Sequence, residues 1–532
     1  MLIFIRFQYV ALQLEALKKV LSPGAAENAL RDLPAGLDET YNRILLRIGL
    51  QDREQAYRTL KWLAFSRRPL TIDELAEASI IDIAATPPFS EDRRCFASND
   101  LLRLFPGLLI LGDTIALEGG TTGKAVKFSH FSVQEYLMSE RIKSSDAAAF
   151  HLDKKNPNLE LARSCLRYCL HMDQSKPKLY RLDLTFPFKN YALVMWLRHF
   201  EALEQECCDS HLTNMALKTL EPESWLFKQV ASHNYWKYLR YSYLVGVTST
   251  DDYLDSGIKS NPLYLVVELG YLQSTSLLIR HGVADVNKIG GPWRTALNVA
   301  AGYGRESIVR VLLEAGANAY AHTLGERDAI KRYSCALEIA VYGEEEDVAR
   351  ILLQQPGAVK KCEELGYRPL VDAAYRSNAS MTELLLKHGF DPNRRSHSRS
   401  ALRIEVECGH LDGVELLLQY GANVNDFEVK EIYDPIKIAA AKSIVSDPCL
   451  SIVRLLLLRG AEVRKPVDED WSKWISEGRT KELVRQDVYA LYEICGDLSQ
   501  RGGFNESNVD AYVEEWKGAI GYESRRSKFL ED

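Results

Sequence analysis

The sequence predicts a mainly α fold: a solenoid of repeated helical pairs, with a helical connector and a small α+β unit ahead of it. Three features predict this. The first is the stretch from Thr295 to Asn318, which reads as two short helices. Leu297, Val299, Ala300 and Ala301 pack one; Ile308, Val309, Val311, Leu312 and Leu313 pack the other. Gly304 and Gly316 stand at their ends, where a residue with φ > 0 is wanted. The second feature is recurrence. Equivalent starts fall at Asn261, Thr295, Cys335, Arg368, Ser400 and Asp434, in steps of 34, 40, 33, 32 and 34 residues. At a constant offset lie Leu278-Ile279, Leu312-Leu313, Leu352-Leu353, Leu385-Leu386 and Leu417-Leu418. Leu456-Leu457 joins them after a five-residue insertion near 446–450. So short a pair cannot bury its apolar face alone, so the copies must stack. The third feature is a run of helical patterns that gives way, near residue 108, to strand-like runs around a glycine-rich loop.

Composition bounds the function classes. A chain of 532 residues is too long for one domain and suggests three or four units. Apolar content of 46% and charged content of 26% are ordinary for globular protein. A net charge of −7 argues against a general nucleic-acid coat. No apolar run approaches the length that spans a bilayer. The start, Met1 to Arg6, lacks the basic and apolar regions of a signal peptide. Ten cysteines without regular spacing read as reduced thiols. The expected location is cytoplasmic, with the nucleus as the alternative.

A period near 33 with two helices and a turn resembles the ankyrin repeat. Gly-Ala-Asn-Val-Asn at 421–425 and Gly-Ala-Asn-Ala at 316–319 look like that family's end-of-repeat phrase. The closing glycines are Gly282, Gly316, Gly389, Gly421 and Gly460. The family's Thr-Pro-Leu-His opening survives only in pieces, as at 261–264, 295–298 and 368–371. The histidine that ties turns together is absent from all six repeats. Repeat three has Pro356 in place of the glycine, with Gly357 beside it, and a long loop at 320–333 before it. The third and sixth repeats are therefore expected to be irregular, and the array less stable than a regular one.

Ahead of the array, residues 1–30 read as helical, with Phe7, Val10, Ala11, Leu14, Leu17 and Val20 at helical spacing. They begin in mid-helix with no cap, as if something once preceded them. Asp38 and Glu39 open a second helix, suited to its positive end. Residues 55–66 make a third, with Ala56, Leu60, Leu63 and Ala64 inward. Thr71 and Glu74 form a capping box for a fourth, with Leu70 and Leu75 as its hydrophobic staple. A short fifth helix starts at Ser98. Strands follow at 108–111 and 114–117, joined at Gly112-Asp113, then a third at 125–129. Ser132 and Glu135 suggest another capping box, stapled by Phe131 and Tyr136. Helices followed by a hairpin with a glycine loop are a winged-helix arrangement.

Leu37-Asp-Glu-Thr-Tyr41, Trp62-Leu-Ala-Phe-Ser-Arg-Arg-Pro-Leu-Thr71 and Phe128-Ser-His-Phe-Ser-Val-Gln-Glu-Tyr-Leu137 resemble the region after the NACHT module in fungal NACHT–ankyrin proteins. These are signal-transducing ATPases of the NOD-like receptor type. The resemblance implies a winged-helix spacer between an ATPase and a sensor array. No ATPase module is recognised among these residues. The expected organisation is residues 1–50 as a helical segment resembling the end of a NACHT module and 51–145 as the winged helix. Residues 146–255 follow as an aromatic-rich connector capping the array, 256–465 as six ankyrin repeats, and 466–532 as an acidic tail. Leu483, Val484, Val488, Leu491, Tyr492 and Cys495 suggest one amphipathic helix in the tail, and 521–532 read as disordered.

Candidate chemistry is thin. Gly119-Gly-Thr-Thr-Gly-Lys124 invites a phosphate-loop reading, but Glu118 replaces the first glycine and Ala125 the hydroxyl. A wing tip is the better account. Ser129, His130 and Ser132 have no third orienting partner in the sequence. Cys165, Cys169 and His171 lack a second ligand pair at zinc spacing, and the adjacent Cys207 and Cys208 point apart on a helix. No catalytic residue, metal or cofactor is expected. A winged helix can bind DNA; Arg67-Arg68, Arg93-Arg94 and Arg103 are the basic residues for that rival reading, with Asp100 against it. The favoured function is protein binding. Trp293, Arg294, Tyr333, Tyr367, Arg368, Arg399 and Tyr433 precede repeat starts and are expected on exposed turn tips. Aromatic and arginine side chains in a row are the composition of interaction hot spots. The partner is a protein, with possible contact to a NACHT ATPase module. No membrane contact is expected, and nucleic acid is the weaker alternative.

Overall fold

The structure, a computed structural model, describes residues 22, 36–116, 122–175, 185–203, 209–222, 224–234, 261–291, 293–321, 335–396, 399–425, 434–442, 447–463, 481–495 and 505–523. These fall into two compact units, divided between Trp293 and Arg294. The helix expected over 1–30 lies outside the described residues.

The first unit opens with α1 (Leu37–Leu46), with Asp38 and Glu39 in its first turn, and α2 (Arg53–Phe65). Strand β1 (Leu70–Thr71) leads into α3 (Ile72–Ser79) through a capping box. Thr71 Oγ1 accepts the Glu74 amide at 3.2 Å, and Glu74 Oε2 accepts the Thr71 amide at 3.0 Å. Leu70 and Leu75, the expected staple, are both buried. A 3-10 turn (Ser98–Leu104) follows, then β2 (Leu109–Ala116) and β3 (Thr122–Phe128). The sheet is antiparallel, in the order β1-β3-β2.

Two details depart from the sequence reading. Gly112-Asp113 is not a hairpin turn. Leu111 faces Val126 and Thr114 faces Lys124, so the pair is an extra residue's worth of slip inside one continuous strand. The pairing of the two strands continues to Ala116 and Thr122. Nor does Ser132 cap α4 (Phe131–Leu137). The cap is His130, whose Nδ1 accepts the Ser132 amide at 3.2 Å. Phe131 is exposed, so no staple forms there.

The connector comprises α5 (Pro157–Ser175), α6 (Lys189–Glu201), α7 (Ser210–Thr219) and α8 (Trp225–Asn234). Its core is aromatic. Trp62 of α2 meets Phe188 and Tyr191 edge-on, with ring centroids 5.1 and 5.6 Å apart, and Phe89 meets Tyr168 at 5.0 Å. His199 sits within this core: its Nδ1–H donates to Asn158 Oδ1 and its Nε2 accepts from Tyr191 Oη, both at 2.9 Å. Glu201 ends α6 by accepting from the Gln273 and Ser274 amides and the Ser274 hydroxyl, at 2.7–2.9 Å. These belong to the first repeat, α9 (Pro262–Leu269) and α10 (Leu272–Arg280), which therefore packs on the connector.

The second unit continues the repeats: α11 (Ala296–Gly302) with α12 (Glu306–Glu314), and α13 (Ala336–Tyr342) with α14 (Glu346–Leu353). A short extra helix, α15 (Ala358–Glu364), comes next. Then come α16 (Pro369–Tyr375) with α17 (Ala379–Lys387), α18 (Ala401–Cys408) with α19 (Leu411–Gln419), and α20 (Pro435–Lys442) with α21 (Asp447–Leu458). Within this unit first helices stack on first helices and second on second. Asn261, Thr295, Cys335, Arg368 and Ser400 are the N-cap residues of their first helices, and Asp434 directly precedes α20. The closing glycines Gly316, Gly389, Gly421 and Gly460 have φ of +86°, +94°, +88° and +85°. In repeat three the left-handed residue comes one position later, at Gly357 (φ +71°), and α15 grows from it, which is the irregularity expected there. Repeat six carries its insertion near α21, twelve residues long. Among the described residues the tail supplies two helices rather than one, α22 (Lys481–Cys495) and α23 (Val509–Ala519). They pack on α20 and α21 and are joined by the Trp516 Nε1–H bond to the Asp487 carbonyl at 2.9 Å.

With no histidine in the opening phrase, other side chains join neighbouring repeats. Glu338 Oε1 accepts the Arg368 amide at 2.8 Å, and in the first unit Tyr264 Oη accepts the Trp293 amide at 3.0 Å. Asn425 bridges repeats five and six. Its Nδ2 donates to the Gly460 carbonyl at 3.1 Å and its Oδ1 accepts the Glu462 amide at 2.8 Å. Asn425→Ala is expected to cost about 1–2 kcal/mol in urea unfolding, with faster hydrogen exchange at the Glu462 amide.

Burial, with the Arg67 charge second, pushes the His199 imidazole down from 6.5 to about 3. The unfolded chain binds that proton more readily, so stability is full above pH 6.5 and falls as pH drops toward 3. Between pH 7 and pH 5 the loss from this group is about 2 kcal/mol. The change in unfolding free energy from pH 7 to pH 5, measured by chemical denaturation, should be more unfavourable in wild type than in His199→Gln by that amount.

Candidate protein-interaction surface

The turn residues of the array follow from where each first helix begins. Arg368, as the N-cap of α16, gives its amide to Glu338 and keeps a half-buried side chain. Arg399 stands in a two-residue strand paired with 395–396 just before α18. It is exposed, donates to Tyr375 Oη at 2.9 Å and lies 3.7 Å from the Glu407 carboxylate. Arg294 is half-buried with φ +71°. Trp293, half-buried, ends the first unit. Tyr367 departs from the expectation of an exposed tip: it is only 3% accessible, its amide bonded to the Cys362 carbonyl at the end of α15. The inserted helix encloses it, so the ring is a packing residue. Tyr333 and Tyr433 lie outside the described residues.

A second set of aromatic–arginine contacts lies away from the expected turn tips. Arg376 lies 3.6 Å from the Tyr342 ring centroid, and Arg305 lies 4.7 Å from that of Tyr303. Tyr303 follows α11, Tyr342 and Tyr375 end α13 and α16, and Arg399, just before α18, bonds Tyr375. Their signal in the sequence is a tyrosine seven or eight residues after the start of repeats two, three and four. Attention to the residues before each start passes it by.

The winged helix presents a different picture. Arg68 makes two bonds to Glu74, at 2.7 and 2.8 Å, and Glu74 is 2% exposed. Arg94 makes two to the buried Glu77, at 2.5 and 2.8 Å. Arg93 bonds the Pro87 carbonyl, Arg67 bonds Asn158, and Arg103 lies 3.3 Å from Asp100. Of the arginines of the DNA-binding reading, Arg68 and Arg94 are thus engaged with buried acids, while Arg67 and Arg103 keep exposed side chains. The glycine-rich segment joins two antiparallel strands; residues 117–121 lie outside the described residues. His130 Nδ1 and Tyr41 Oη lie 2.6 and 2.7 Å from Ser132 Oγ, a local network around the α4 cap. Cys165 and Cys169 are fully buried, and burial pushes both thiols up, away from the thiolate a metal needs. His171 packs against Phe89. Cys207 and Cys208 lie outside the described residues, among which no metal-binding group of side chains occurs and no helix is long and apolar enough to cross a membrane.

Comparison with known proteins agrees with this anatomy. The ankyrin-repeat family models match residues 335–428, as three copies, and 293–323. The model of the GPI inositol-deacylase winged helix domain matches residues 44–153. The chain is 31% identical over 306 residues to azaphilone pigments biosynthesis cluster protein L of Monascus ruber, across 54% of this chain and 61% of that protein. It is 26% identical over 225 residues to mouse Rabankyrin-5, across 40% of this chain and 18% of that protein. The chain thus spans less than two thirds of these relatives. Among solved structures, the ankyrin repeat domain of Bcl-3 aligns with 38% of this chain and 88% of its own, at 26% identity and a TM-score of 0.33. The chain carries ankyrin repeats and a winged-helix domain of the GPI-inositol-deacylase type.

The arginine geometry predicts stability effects. Arg68→Ala strands the buried Glu74 carboxylate and should cost about 3 kcal/mol. Arg103→Ala, at an exposed pair, should stay within about 0.5 kcal/mol. Thermal melts of the two variants check the contrast.

Proposed function

We propose that this chain, built from ankyrin repeats and a winged helix, is a non-catalytic interaction scaffold that binds a protein partner through the array. The observation that carries the reading is the line of arginines and tyrosines in the second unit: Arg294, Arg368 and Arg399 at the turns, with Tyr342–Arg376 and Tyr375–Arg399 beside them. Arginine stacked on a tyrosine ring keeps its donors on one side, is already ordered, and loses little entropy on binding. Repeat arrays present such side chains on a continuous surface. In the fuller reading, the chain is the sensor or adaptor half of a NACHT–ankyrin signalling protein and acts in the cytoplasm. The winged helix there contacts an ATPase module in cis or in trans.

A photo-crosslinking amino acid at position 399 of the full chain, expressed in its native host, should yield a discrete protein adduct. Charge reversal at Arg368 and Arg376 should weaken capture of that protein by about tenfold or more. An adduct unaffected by both reversals would overturn this surface. Labelled ATP titrated against the full chain should show no saturable binding; saturation at about micromolar concentration, a usual range for substrates, contradicts the non-catalytic scaffold.

A further inference from the structure

Glu405 stands apart when the repeats are laid over one another. Five residues after the start, the other copies hold Val266, Ala300, Ala340, Ala373 and Ala439, all buried and apolar. Repeat five alone puts a carboxylate there. Eight residues further on, the exchange runs the other way. Ile308, Val348 and Met381 are buried there, Ile452 is the equivalent in repeat six once its five-residue insertion is allowed for, and repeat one has the buried Ser274, whereas repeat five has Gly413. A Cβ on Gly413 would lie 2.4 Å from the Glu405 carboxyl carbon. The glycine, inside α19, therefore serves no turn; it vacates the volume that the acid occupies.

Glu405 is 1% exposed. Its Oε2 lies 2.9 Å from His410 Nδ1, and His410 Nε2 lies 2.7 Å from Ser377 Oγ, which fixes the carboxyl's orientation. Its Oε1 takes no hydrogen bond from any described residue. A buried acceptor without a donor is costly and asks for one. Glu405 is one of the residues lining a cavity of about 490 Å³, within the range of ligand pockets. Asp412, Ser377 and Ser451 stand around it, and no arginine or lysine lines it.

Two plainer accounts fall short. Acids at the starts of second helices, such as Glu306, Glu346 and Asp412, complement the positive helix ends. Glu405 lies in the interior of a first helix and gains nothing from that. The Ser377–His410–Glu405 chain has the connectivity of a hydrolytic triad. Burial, however, pushes the Glu405 carboxyl up to about 8, favouring the neutral form, whereas a triad needs the anion to hold an imidazolium.

We propose that this cavity receives an arginine or lysine side chain of the protein partner, its cation bonded to Glu405 at the base and to Asp412 at the mouth. The proposal rests on the scaffold reading and adds the chemistry of one contact. A cation beside Glu405 supplies the missing donor and brings the carboxyl back to its ionised form.

The test uses the full chain with acetyl-arginine methylamide and acetyl-lysine methylamide, against the uncharged citrulline and norleucine analogues, by saturation-transfer NMR and calorimetry. A charged probe should bind and its uncharged analogue should not. Glu405→Gln, and separately the exposed change Asp412→Asn, should each weaken binding, the first by about tenfold or more, with melting temperatures showing both variants folded. Equal binding of charged and uncharged probes, unchanged binding in folded Glu405→Gln, or no binding by the wild type would each overturn the pocket. None of these outcomes touches the crosslink at position 399, so the pocket and the scaffold reading fail separately.

Discussion

One demand recurs along the array: junctions between short helical pairs leave backbone amides that a side chain of the neighbouring repeat satisfies. An α-helix of seven to nine residues is marginal alone, and its unpaired terminal groups are costly when buried. The chain answers with whatever polar side chain each junction offers. Glu338 serves one and Asn425 another, while Asn393 gives an N–H to the Gly421 carbonyl and accepts the Asn423 amide. Glycines in the left-handed region turn each second helix into the next loop so that these acceptors arrive in register. Without the stack the acceptors have no amides, and without the acceptors the stack has unpaired amides.

The first unit solves its problem differently. It fuses the winged helix to the connector through interlocked aromatic rings and a few buried carboxylates. Glu74 and Glu77 are almost inaccessible, and each is held by a two-pronged arginine. Such pairs make poor sources of stability but severe penalties when broken. They also commit Arg68 and Arg94 to the interior. A basic dipeptide in the sequence is therefore a weak sign of a nucleic-acid surface, because the same residues are what a buried acid requires.

Much of the array was legible from spacing alone. Asn261, Thr295, Cys335, Arg368 and Ser400 prove to be helix caps because a cap, a leucine pair and a left-handed glycine recur at fixed separations, and all three are local. What escaped is non-local. Gly112-Asp113 carries a turn's composition, but pairing with β3 absorbs it as a bulge. Ser132 follows the capping-box pattern, yet the chain enters α4 earlier and His130 takes the place. Tyr367 looks exposed until α15 covers it, and that helix has no counterpart among the described residues of the other repeats. Laying the repeats over one another singles out Glu405 and Gly413, but that the one vacates the volume the other fills shows only in space.

The seam between the two units does not fall where the repeats begin. It runs after the first of them, at Trp293, because Glu201 binds that helical pair to the connector through three bonds. Structural modularity and sequence periodicity are thus offset by one copy. Gain or loss of a later copy would change the length of the array and leave that attachment in place. The first copy, held to the connector by Glu201, anchors the register in which the others are counted.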